Sequence, residues 1–265
     1  MMNIYDPQPE RKVRDRDEFN IVVPMAGNDY LVDGPQAYPK QLVEINQKPL
    51  IELVLEPLKR LPFPKRFIFI VNESHCREFA LDNVLKLAVA DAGDSEMISL
   101  KNTTQGAACS VLLAIEHINN DNPLIIMNSD NVIEGDQAEI IENFRQRQLD
   151  VAVICFDSIH PRWSSVLLDE NGSILEAAEK RPISRNAIAG FYYFRRGSAF
   201  VEAAMSMIRK GAVASDGQYY IAPCINELII QGAATGIYSI PKEHYHNFQS
   251  VDQIHEYSAR MRQIA

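Results

Sequence analysis

Short runs of apolar residues alternate with helix-like segments through the first half of this chain of 265 residues. A strand that is buried on both faces of a sheet is apolar throughout, whereas a half-exposed strand alternates apolar and polar residues. The runs are close to the first kind, with Asn20 as the one polar residue among them, and the strands that they predict cover residues 20–25, 67–71, 123–127 and 151–156. The pattern therefore predicts an α/β fold, with a Rossmann-like, mostly parallel sheet and helices on both faces.

The second half of the chain changes character. A turn at Glu170-Asn171-Gly172 separates residues 164–169 from residues 174–178, which predicts an antiparallel hairpin. Because an aromatic strand is predicted over residues 187–195, we expect antiparallel strands to extend the parallel sheet. Helices are predicted over residues 50–61, 77–90 (with Ser74 as the N-cap before it), 106–118, 138–147, 197–210, 220–231 and 251–262.

No low-complexity linker or internal repeat divides the sequence. We expect a polar N-terminal tail over residues 1–18, followed by a single α/β domain over residues 19–265. A chain of this length can bury a large core as one domain.

The charge and the apolar runs argue against several kinds of partner. The formal net charge of -9 argues against a nucleic-acid-binding surface, which normally needs a basic stripe. No run approaches the roughly 18 apolar residues of a membrane span, and the first twenty residues lack the apolar stretch of a signal peptide. The four cysteines are far apart, without the spacing of a zinc site. We therefore expect a cytoplasmic protein without nucleic-acid or membrane partners, and the sequence leaves a homo-oligomer open.

The end of the first predicted strand carries Ala26 and Gly27, and residues 28–37 follow as a loop. Carboxyl ends of parallel strands form the edge at which phosphorylated ligands usually bind. The loop contains no basic residue and one glycine, a poor composition for holding phosphate. Lys40 comes next, after Pro39, which restricts the chain beside it. A fixed lysine can neutralise charge in phosphoryl transfer, and a solvated surface lysine is the alternative.

Asp130 follows another buried strand, at the end of the segment Asn128-Ser129-Asp130. A carboxylate at this edge of the sheet suits Mg²⁺, which typically takes one or two carboxylates together with substrate phosphates. The alternative is a loop aspartate that caps a turn.

Two further segments place small or charged residues directly after predicted strands. Gln105 and Gly106 open a predicted helix, whose N-terminus can approach a phosphate or a base, although tight helix–sheet packing explains the same small residues. Glu179 and Lys180 follow the hairpin and place a carboxylate beside a cation, which is also the composition of an ordinary surface cluster. The residues alone leave these alternatives open.

The order of the motifs resembles the sugar-1-phosphate nucleotidyltransferase family, which includes glucose-1-phosphate thymidylyl- and uridylyltransferases. The resemblance covers roughly residues 19–262 and is closest to the branch encoded with capsule and surface-polysaccharide genes. The motifs that carry it are Ala26-Gly27, Pro39-Lys40, Lys48-Pro49-Leu50-Ile51-Glu52, Gln105-Gly106-Ala107-Ala108, Asn128-Ser129-Asp130, Glu179-Lys180-Arg181-Pro182 and Gly190-Phe191-Tyr192-Tyr193-Phe194.

The resemblance implies a reaction in which a sugar-1-phosphate attacks the α-phosphate of a nucleoside triphosphate and pyrophosphate is released, with Mg²⁺ as the cofactor. It also implies roles for individual residues, with Lys40, Asp130 and Lys180 as the catalytic ones. The implied roles are nucleotide binding by Ala26, Gly27, Gln105 and Gly106, triphosphate binding by Lys40, Mg²⁺ binding by Asp130 and Asn247, and sugar-phosphate binding by Glu179, Lys180 and Gly190.

The chain departs from the family pattern at three places. Residues 28–32, which lack arginine, stand where the family has a Gly-x-Gly-x-Arg loop. Gln47-Lys48-Pro49 replaces the family's Gly-Lys-Pro motif, and Asn247 replaces its C-terminal aspartate. An amide is a neutral and weaker Mg²⁺ ligand than a carboxylate.

Two hypotheses about function follow. The first is a sugar-phosphate nucleotidyltransferase of surface polysaccharide biosynthesis. The second is a catalytically impaired protein of the same fold that binds nucleotide sugar or sugar phosphate as a regulatory subunit.

Overall fold

The computed structural model describes residues 18–27 and 38–264, so most of the predicted N-terminal tail and the loop after Gly27 lie outside the described residues. The strands are β1 (Phe19–Met25), β2 (Glu44–Ile45), β3 (Lys48–Pro49), β4 (Lys65–Asn72), β5 (Asp94–Leu100), β6 (Leu124–Met127), β7 (Asn131–Ile133), β8 (Val151–Asp157), β9 (Ser165–Leu168), β10 (Ile174–Ala178), β11 (Asn186–Phe194), β12 (Thr235–Ser239) and β13 (Tyr245–Asn247). The helices are α1 (Leu50–Lys59), α2 (Glu73–Phe79), α3 (Leu81–Val89), α4 (Ala107–Leu112), α5 (Ile115–Ile118), α6 (Gln137–Gln146), α7 (Gly197–Arg209), α8 (Cys224–Ile230) and α9 (Val251–Ile264).

Nine strands of the described part form one mixed sheet. In its interior β1 pairs in parallel with β4 and β6, and β4 pairs in parallel with β5. β11 runs antiparallel to β6, β8 and β9, while β12 is parallel to β8 and β10 is antiparallel to β9. The predicted α/β fold, with a parallel sheet in the first half and added antiparallel strands in the second, is confirmed.

Side chains of β1 alternate between two hydrophobic cores, one on each face of the sheet. Ile21, Val23 and Met25 pack in one core with residues of α1, α3, α6 and α9, whereas Val22 packs in the other with residues of α4, α7 and α8. Because both faces are covered by helices, apolar side chains are favoured on both faces of the strand. This explains the apolar run from residue 21 to residue 25, while the buried Asn20 donates its side-chain amide N–H to Asn120 Oδ1 at 3.3 Å.

The predicted helix over residues 77–90 is wrong in two respects. It is interrupted at Ala80, whose φ of +53° lies in the left-handed region, and this residue ends α2 and precedes α3. The N-cap of α2 is Asn72, whose side-chain oxygen accepts a hydrogen bond from the backbone N–H of Ser74 at 2.9 Å. Asparagine and serine are both good N-cap residues, and the helix begins at the earlier of the two.

Two other predicted helices are too long. The segment over residues 106–118 contains α4 and α5 as separate short helices. The helix predicted to start at Tyr220 begins only at Cys224, directly after Pro223 in the N-cap position. Proline has no N–H and fits the beginning of a helix better than its interior. Residues 214–223 therefore form a loop, which contacts two of the candidate segments.

In the part of the chain that the structure describes, no helix combines the length and the apolar character needed to cross a bilayer.

Parallel pairing brings the carboxyl ends of β1 and β6 to the same edge of the sheet. β11 runs in the opposite direction, so its amino-terminal half lies at this edge, with Phe191 opposite Met127. Asn128, the residue that follows β6, is therefore close to Gly190, which precedes Phe191. This edge carries the candidate site.

Candidate active site

Lys40 and Asp130 form an ion pair at the sheet edge. Lys40 Nζ donates to Asp130 Oδ2 at 3.0 Å, and the lysine is 7% exposed. The neighbouring residues reinforce the contact, because Gln41 Nε2 donates to Ser129 Oγ at 3.0 Å in a buried hydrogen bond. The fold thus brings together two candidate residues that lie 90 positions apart in the sequence.

Asn247 lies beside this pair. It ends β13, which pairs with β7 so that Asn247 is opposite Asn131, the residue after Asp130. The backbone N–H of Phe248 donates to the carbonyl of Asp130 at 3.1 Å. The Oδ1 atom of Asn247 is buried and has no hydrogen-bond partner among the described residues. Because an unpaired buried oxygen is unfavourable, this atom is suited to a ligand.

Tyr245 connects Asp130 and Asn247 to an aromatic cluster. Its ring stacks on Phe156 with centroids 4.2 Å apart, and Trp163 contacts it edge-on at 5.5 Å. Burial, and next the charge of Asp130, raise the pKa of the Tyr245 hydroxyl, whereas a hydrogen bond from Asn247 acts in the opposite direction. Tyr245 is therefore a neutral phenol held next to the carboxylate and the amide.

Asp130 and Asn247 offer oxygen donors to a hard cation such as Mg²⁺. Across residues 18–27 and 38–264, no group of three or more His, Cys, Asp or Glu side chains could enclose a metal ion. The orphaned Asn247 Oδ1 and the Asp130 carboxylate fit an ion that takes one or two protein ligands and completes its coordination with substrate oxygens.

Gly190 is required by its own backbone and by Asn128. Its φ is +71°, in the left-handed region that favours glycine. The backbone N–H of Asn128 donates to the carbonyl of Gly190 at 2.9 Å. A Cβ atom at position 190 would lie 2.5 Å from Asn128 Nδ2. The missing side chain therefore lets Asn128 lie directly against β11.

Gln105 and Gly106 are bonded to the loop that precedes α8. The carbonyl of Gln105 accepts from the N–H of Tyr219 at 2.9 Å, and the N–H of Ala108 donates to the carbonyl of Tyr219 at 3.0 Å. Gln105 Nε2 also donates to the carbonyl of Gly217 at 2.9 Å. Gly106 has a φ of +109°, and a Cβ there would lie 2.4 Å from the carbonyl oxygen of Tyr219. Only glycine allows this close approach of two backbone segments.

Glu179 follows the hairpin in a partly buried position. The hydroxyl of Ser164 donates to Glu179 Oε2. Burial raises the pKa of the Glu179 carboxyl, and the hydrogen bond from Ser164 and the charge of Lys180 offset only part of this effect. The group can exchange hydrogen bonds with hydroxyl groups of a ligand.

Lys180 belongs to a network with Asp216 and Tyr220. Its Nζ donates to Asp216 Oδ2 at 2.8 Å and to the Tyr220 hydroxyl at 2.6 Å, and that hydroxyl donates to Asp216 Oδ2 at 2.7 Å. The hydrogen bonds with Asp216 and Tyr220 raise the pKa of Lys180, and those from Lys180 and Tyr220 lower the pKa of Asp216 to about 2. Lys180 is therefore a fixed cation with a carboxylate partner.

The structure assembles most of the candidate residues into two groups. Lys40 and Asp130 meet at the end of β6, and strand pairing places Asn247 opposite Asn131, the residue after Asp130; this group is called the metal end below, after the ion for which it is a candidate. Ala26 is buried and Gly27 exposed at the end of β1, and the arginine-free loop after them lies outside the described residues. The second group, connected through residues 216–220, consists of Gln105, Gly106, Glu179 and Lys180. Its part around Glu179 and Lys180 is called the acceptor end.

Sequence reasoning missed five residues of these groups: Gln41, Ser164, Asp216, Tyr220 and Tyr245. Gln41 directly follows Lys40 and could have been found from that position. Asp216 and Tyr220 gave no signal, because their partner Lys180 lies 36 and 40 positions away in the sequence.

A cleft of about 400 Å³ lies near the site but is not lined by its polar residues. It lies between the segment that follows the undescribed loop and helix α9, with Tyr38, Val43 and Arg262 in its lining. The ion pair and the orphaned oxygen, rather than this cleft, therefore define the candidate site.

Solved structures share this fold. A nucleoside-diphosphate-sugar pyrophosphorylase from Vibrio cholerae RC9 is 22% identical, with a TM-score of 0.70 over 90% of this chain and 99% of its own. A Bacillus anthracis protein assigned as a glucose-1-phosphate thymidylyltransferase, solved with sucrose, is 17% identical, with a TM-score of 0.74 over 93% and 96%. HddC from Yersinia pseudotuberculosis is 16% identical, with a TM-score of 0.65 over 91% and 99%, and it has also been solved with GMP-PN.

The family model described as nucleotidyl transferase matches residues 35–226 of this chain. Because the match covers well over half of the sequence, the chain belongs to the nucleotidyl transferase family. No curated protein shows a significant match.

The contact between Gly106 and Tyr219 predicts a specific effect of Gly106→Ala. We expect the variant to lose roughly 2–4 kcal/mol of unfolding free energy, because it combines a strained φ with a clash against backbone. Gly172→Ala is the matched control: its φ is +81° and nothing lies within 4 Å of its Cβ position, so only the smaller backbone cost of about 1–2 kcal/mol applies. Urea unfolding measures the free energy of unfolding of both variants. Equal losses in Gly106→Ala and Gly172→Ala would contradict the role of the Tyr219 contact.

The raised pKa of Glu179 predicts a pH-dependent effect of Glu179→Gln. The protonated carboxyl contributes stability that is fully present at a pH below the pKa of Glu179 in the unfolded protein. This contribution is lost as the pH rises through the higher pKa of Glu179 in the folded protein. A glutamine stays neutral, so we expect the variant to melt at a higher temperature than the wild type at pH 8. The difference should shrink towards pH 4. A difference in Tm that does not change between these pH values would refute the burial of an unfavourable charge.

Proposed function

We propose that this protein is a Mg²⁺-dependent nucleotidyltransferase that joins a sugar-1-phosphate to the nucleoside monophosphate part of a nucleoside triphosphate. The observation that carries the proposal is the Lys40–Asp130 ion pair at the carboxyl edge of β6, in a chain of the nucleotidyl transferase family. A buried lysine beside an acidic residue provides the two kinds of group that a triphosphate and its cation need.

In this reaction a phosphate oxygen of the sugar-1-phosphate attacks the α-phosphorus of the nucleotide. The bond from that phosphorus to the oxygen bridging the β-phosphate breaks, and pyrophosphate leaves with the electron pair. Phosphoryl transfer of this kind needs little covalent chemistry from the protein, and its rate depends on positioning and on neutralisation of charge. Lys40 is suited to this task because Pro39 and the Gln41–Ser129 hydrogen bond hold its segment in place.

Asp130 and Asn247 would hold Mg²⁺, which supplies positive charge to the phosphate oxygens. The support is the buried, unpaired Oδ1 of Asn247, a residue that strand pairing places opposite Asn131, next to Asp130 in the chain. Tyr245, a neutral phenol, adds no further negative charge there.

The two substrates would bind different parts of the site. The nucleotide would bind backbone groups at the end of β1 and at the start of α4, and the sugar phosphate would bind the hairpin end and the amino-terminal half of β11. The residues proposed for these roles are Ala26, Gly27, Gln105 and Gly106 for the nucleotide, and Glu179, Lys180 and Gly190 for the sugar phosphate.

A role in surface polysaccharide biosynthesis is part of the proposal, and the sequence resemblance to the capsule-associated branch supports it. Structural neighbours described as a nucleoside-diphosphate-sugar pyrophosphorylase and a thymidylyltransferase share the fold, which is compatible with this reaction class.

The proposal predicts pyrophosphate release when the protein is given Mg²⁺, one of the nucleoside triphosphates and one of a panel of sugar and polyol phosphates. Asp130→Ala should lower turnover by roughly 10²–10³-fold or more, because the charge at the reacting phosphates is no longer balanced. Asp91→Ala, which removes an exposed carboxylate paired with Lys59, should retain turnover. The enzyme hypothesis fails if wild-type protein with a cooperative thermal transition releases no pyrophosphate with any pair.

Asn247 favours a second candidate function, that of an impaired family member that binds nucleotide sugar or sugar phosphate as a regulatory subunit. The amide stands where the resembled family commonly has a carboxylate, and it is a weaker ligand for Mg²⁺. A weakened metal end beside an intact acceptor end would allow binding without turnover.

Asn247→Asp separates the two functions. In an active enzyme we expect the added carboxylate to lower the Mg²⁺ concentration for half-maximal rate by roughly 3–10-fold, since ligand charge tunes affinity. Asn171→Asp, the same change at an exposed turn, should leave that concentration unchanged. An inactive wild type whose Asn247→Asp variant turns over substrate would instead support the regulatory subunit.

A further inference from the structure

The acceptor end carries a carboxylate that the proposed reaction does not require. Asp216 accepts hydrogen bonds from Lys180 Nζ at 2.8 Å and from the Tyr220 hydroxyl at 2.7 Å. The Lys180 ammonium also lies 4.7 Å from the centroid of the Tyr220 ring. Lys180, the cation proposed to bind the sugar phosphate, is therefore held by an anion and by an aromatic ring before any ligand binds.

The backbone holds Asp216 in this position. The N–H of Gly217 donates to the carbonyl of Ala214 at 2.9 Å, and the N–H of Ala214 donates to the carbonyl of Gln218 at 3.0 Å. Asp216 Oδ1 accepts from the N–H of Gln218 at 3.2 Å, while its Oδ2 is the atom that binds Lys180. Both carboxylate oxygens accept hydrogen bonds, which orients this exposed side chain towards Lys180.

Asp216 changes the charge that a phosphate meets. Its carboxylate is ionised at neutral pH, as its hydrogen bonds lower its pKa further, to about 2, and its negative charge offsets that of the Lys180 ammonium. It is also close enough to Glu179 to contribute to the raised pKa of that carboxyl. Asp130, which pairs with the other proposed phosphate-binding lysine, is proposed above to bind the metal ion as well. The proposed reaction gives Asp216 no such role, so Asp216 would still compete for Lys180 when a phosphate arrives.

We infer that Asp216 determines specificity at the acceptor end by weakening the binding of phosphate alone and making binding depend on the hydroxyl groups of a polyhydroxylated phosphate ester. A bare phosphate gains the attraction of Lys180 but meets the repulsion of Asp216. Sugar hydroxyls can donate hydrogen bonds to carboxylate oxygens and so offset this repulsion. The inference rests on the proposed function, since it assumes that the sugar phosphate binds next to Lys180.

Calorimetric titration with inorganic phosphate and with glucose 1-phosphate tests the inference on the wild type and on Asp216→Asn. At low salt we expect the variant to bind inorganic phosphate about three- to tenfold more tightly, because one unit of negative charge is removed from a partly exposed site. Its affinity for glucose 1-phosphate should rise less, so that the preference for the ester falls. The gain should shrink at high salt, and Asp216→Ser should behave in the same way.

Two control variants separate charge from geometry. Asp91→Asn removes a carboxylate from another Lys–Asp pair, 3.1 Å apart on the surface, and should leave phosphate binding unchanged. Tyr220→Phe disturbs the same network but keeps the charge of Asp216, so it should not tighten phosphate binding.

Equal or weaker binding of phosphate by Asp216→Asn, or no measurable binding by that variant, overturns the inference. An equal gain for both ligands does so too. If the wild type turns over substrate but the Asp216→Asn variant binds phosphate as the wild type does, the inference is wrong and the proposed function stands. If the variant binds phosphate more tightly but the wild type releases no pyrophosphate with any substrate pair, the inference is supported and the hypothesis that the protein is an enzyme is wrong.

Discussion

Strand β11 runs antiparallel between β6 and β8 and thereby joins two groups of parallel strands. A buried strand needs hydrogen-bond partners for its N–H and C=O groups on both sides, and β11 provides them for both groups. The register between β11 and β8 shifts between Ile188 and Tyr192, the stretch that contains Gly190 with its left-handed φ. Such a bulge re-aims the strand next to a functional edge. The position of Asn128 against β11, and with it the end of β6, depends on this local geometry.

The elements that are buried on both faces were predictable because their burial leaves an uninterrupted apolar signal. The first strand was predicted over residues 20–25, and β1 covers Phe19–Met25. Helix starts were less predictable: Asn72 and Ser74 are both good caps, and tertiary geometry decides between them. Proline at position 223 gave a usable signal for the late start of α8, which the helical spacing concealed.

Some residues of the candidate site could likewise be predicted from the sequence, whereas others could not. Lys40 and Asp130 each had a local signal, a neighbouring proline in one case and a strand end in the other, while their contact depends on the whole sheet. Asp216 and Tyr220 belong to a loop that had been predicted as helix or not assigned at all. Their partnership with Lys180 follows from packing of α8 against the hairpin rather than from any pattern in the sequence.

Charge is distributed unevenly between the two ends of the site. At the metal end one carboxylate, Asp130, is accompanied by the amide of Asn247 and the neutral phenol of Tyr245. At the acceptor end two carboxyl groups, Glu179 and Asp216, accompany Lys180. The lysine at the acceptor end therefore has more carboxyl groups around it than the lysine at the metal end.

Tyr219 joins the start of α4 to the loop that carries Asp216 through two backbone hydrogen bonds, at a point where Gly106 leaves no space for adjustment. A displacement of one segment is therefore transmitted to the other. Two ligands bound at these segments would share a thermodynamic linkage, so that each changes the affinity of the other by the same factor. The backbone contact thus gives the fold a means of coupling ligands at the two segments, whichever of them binds first.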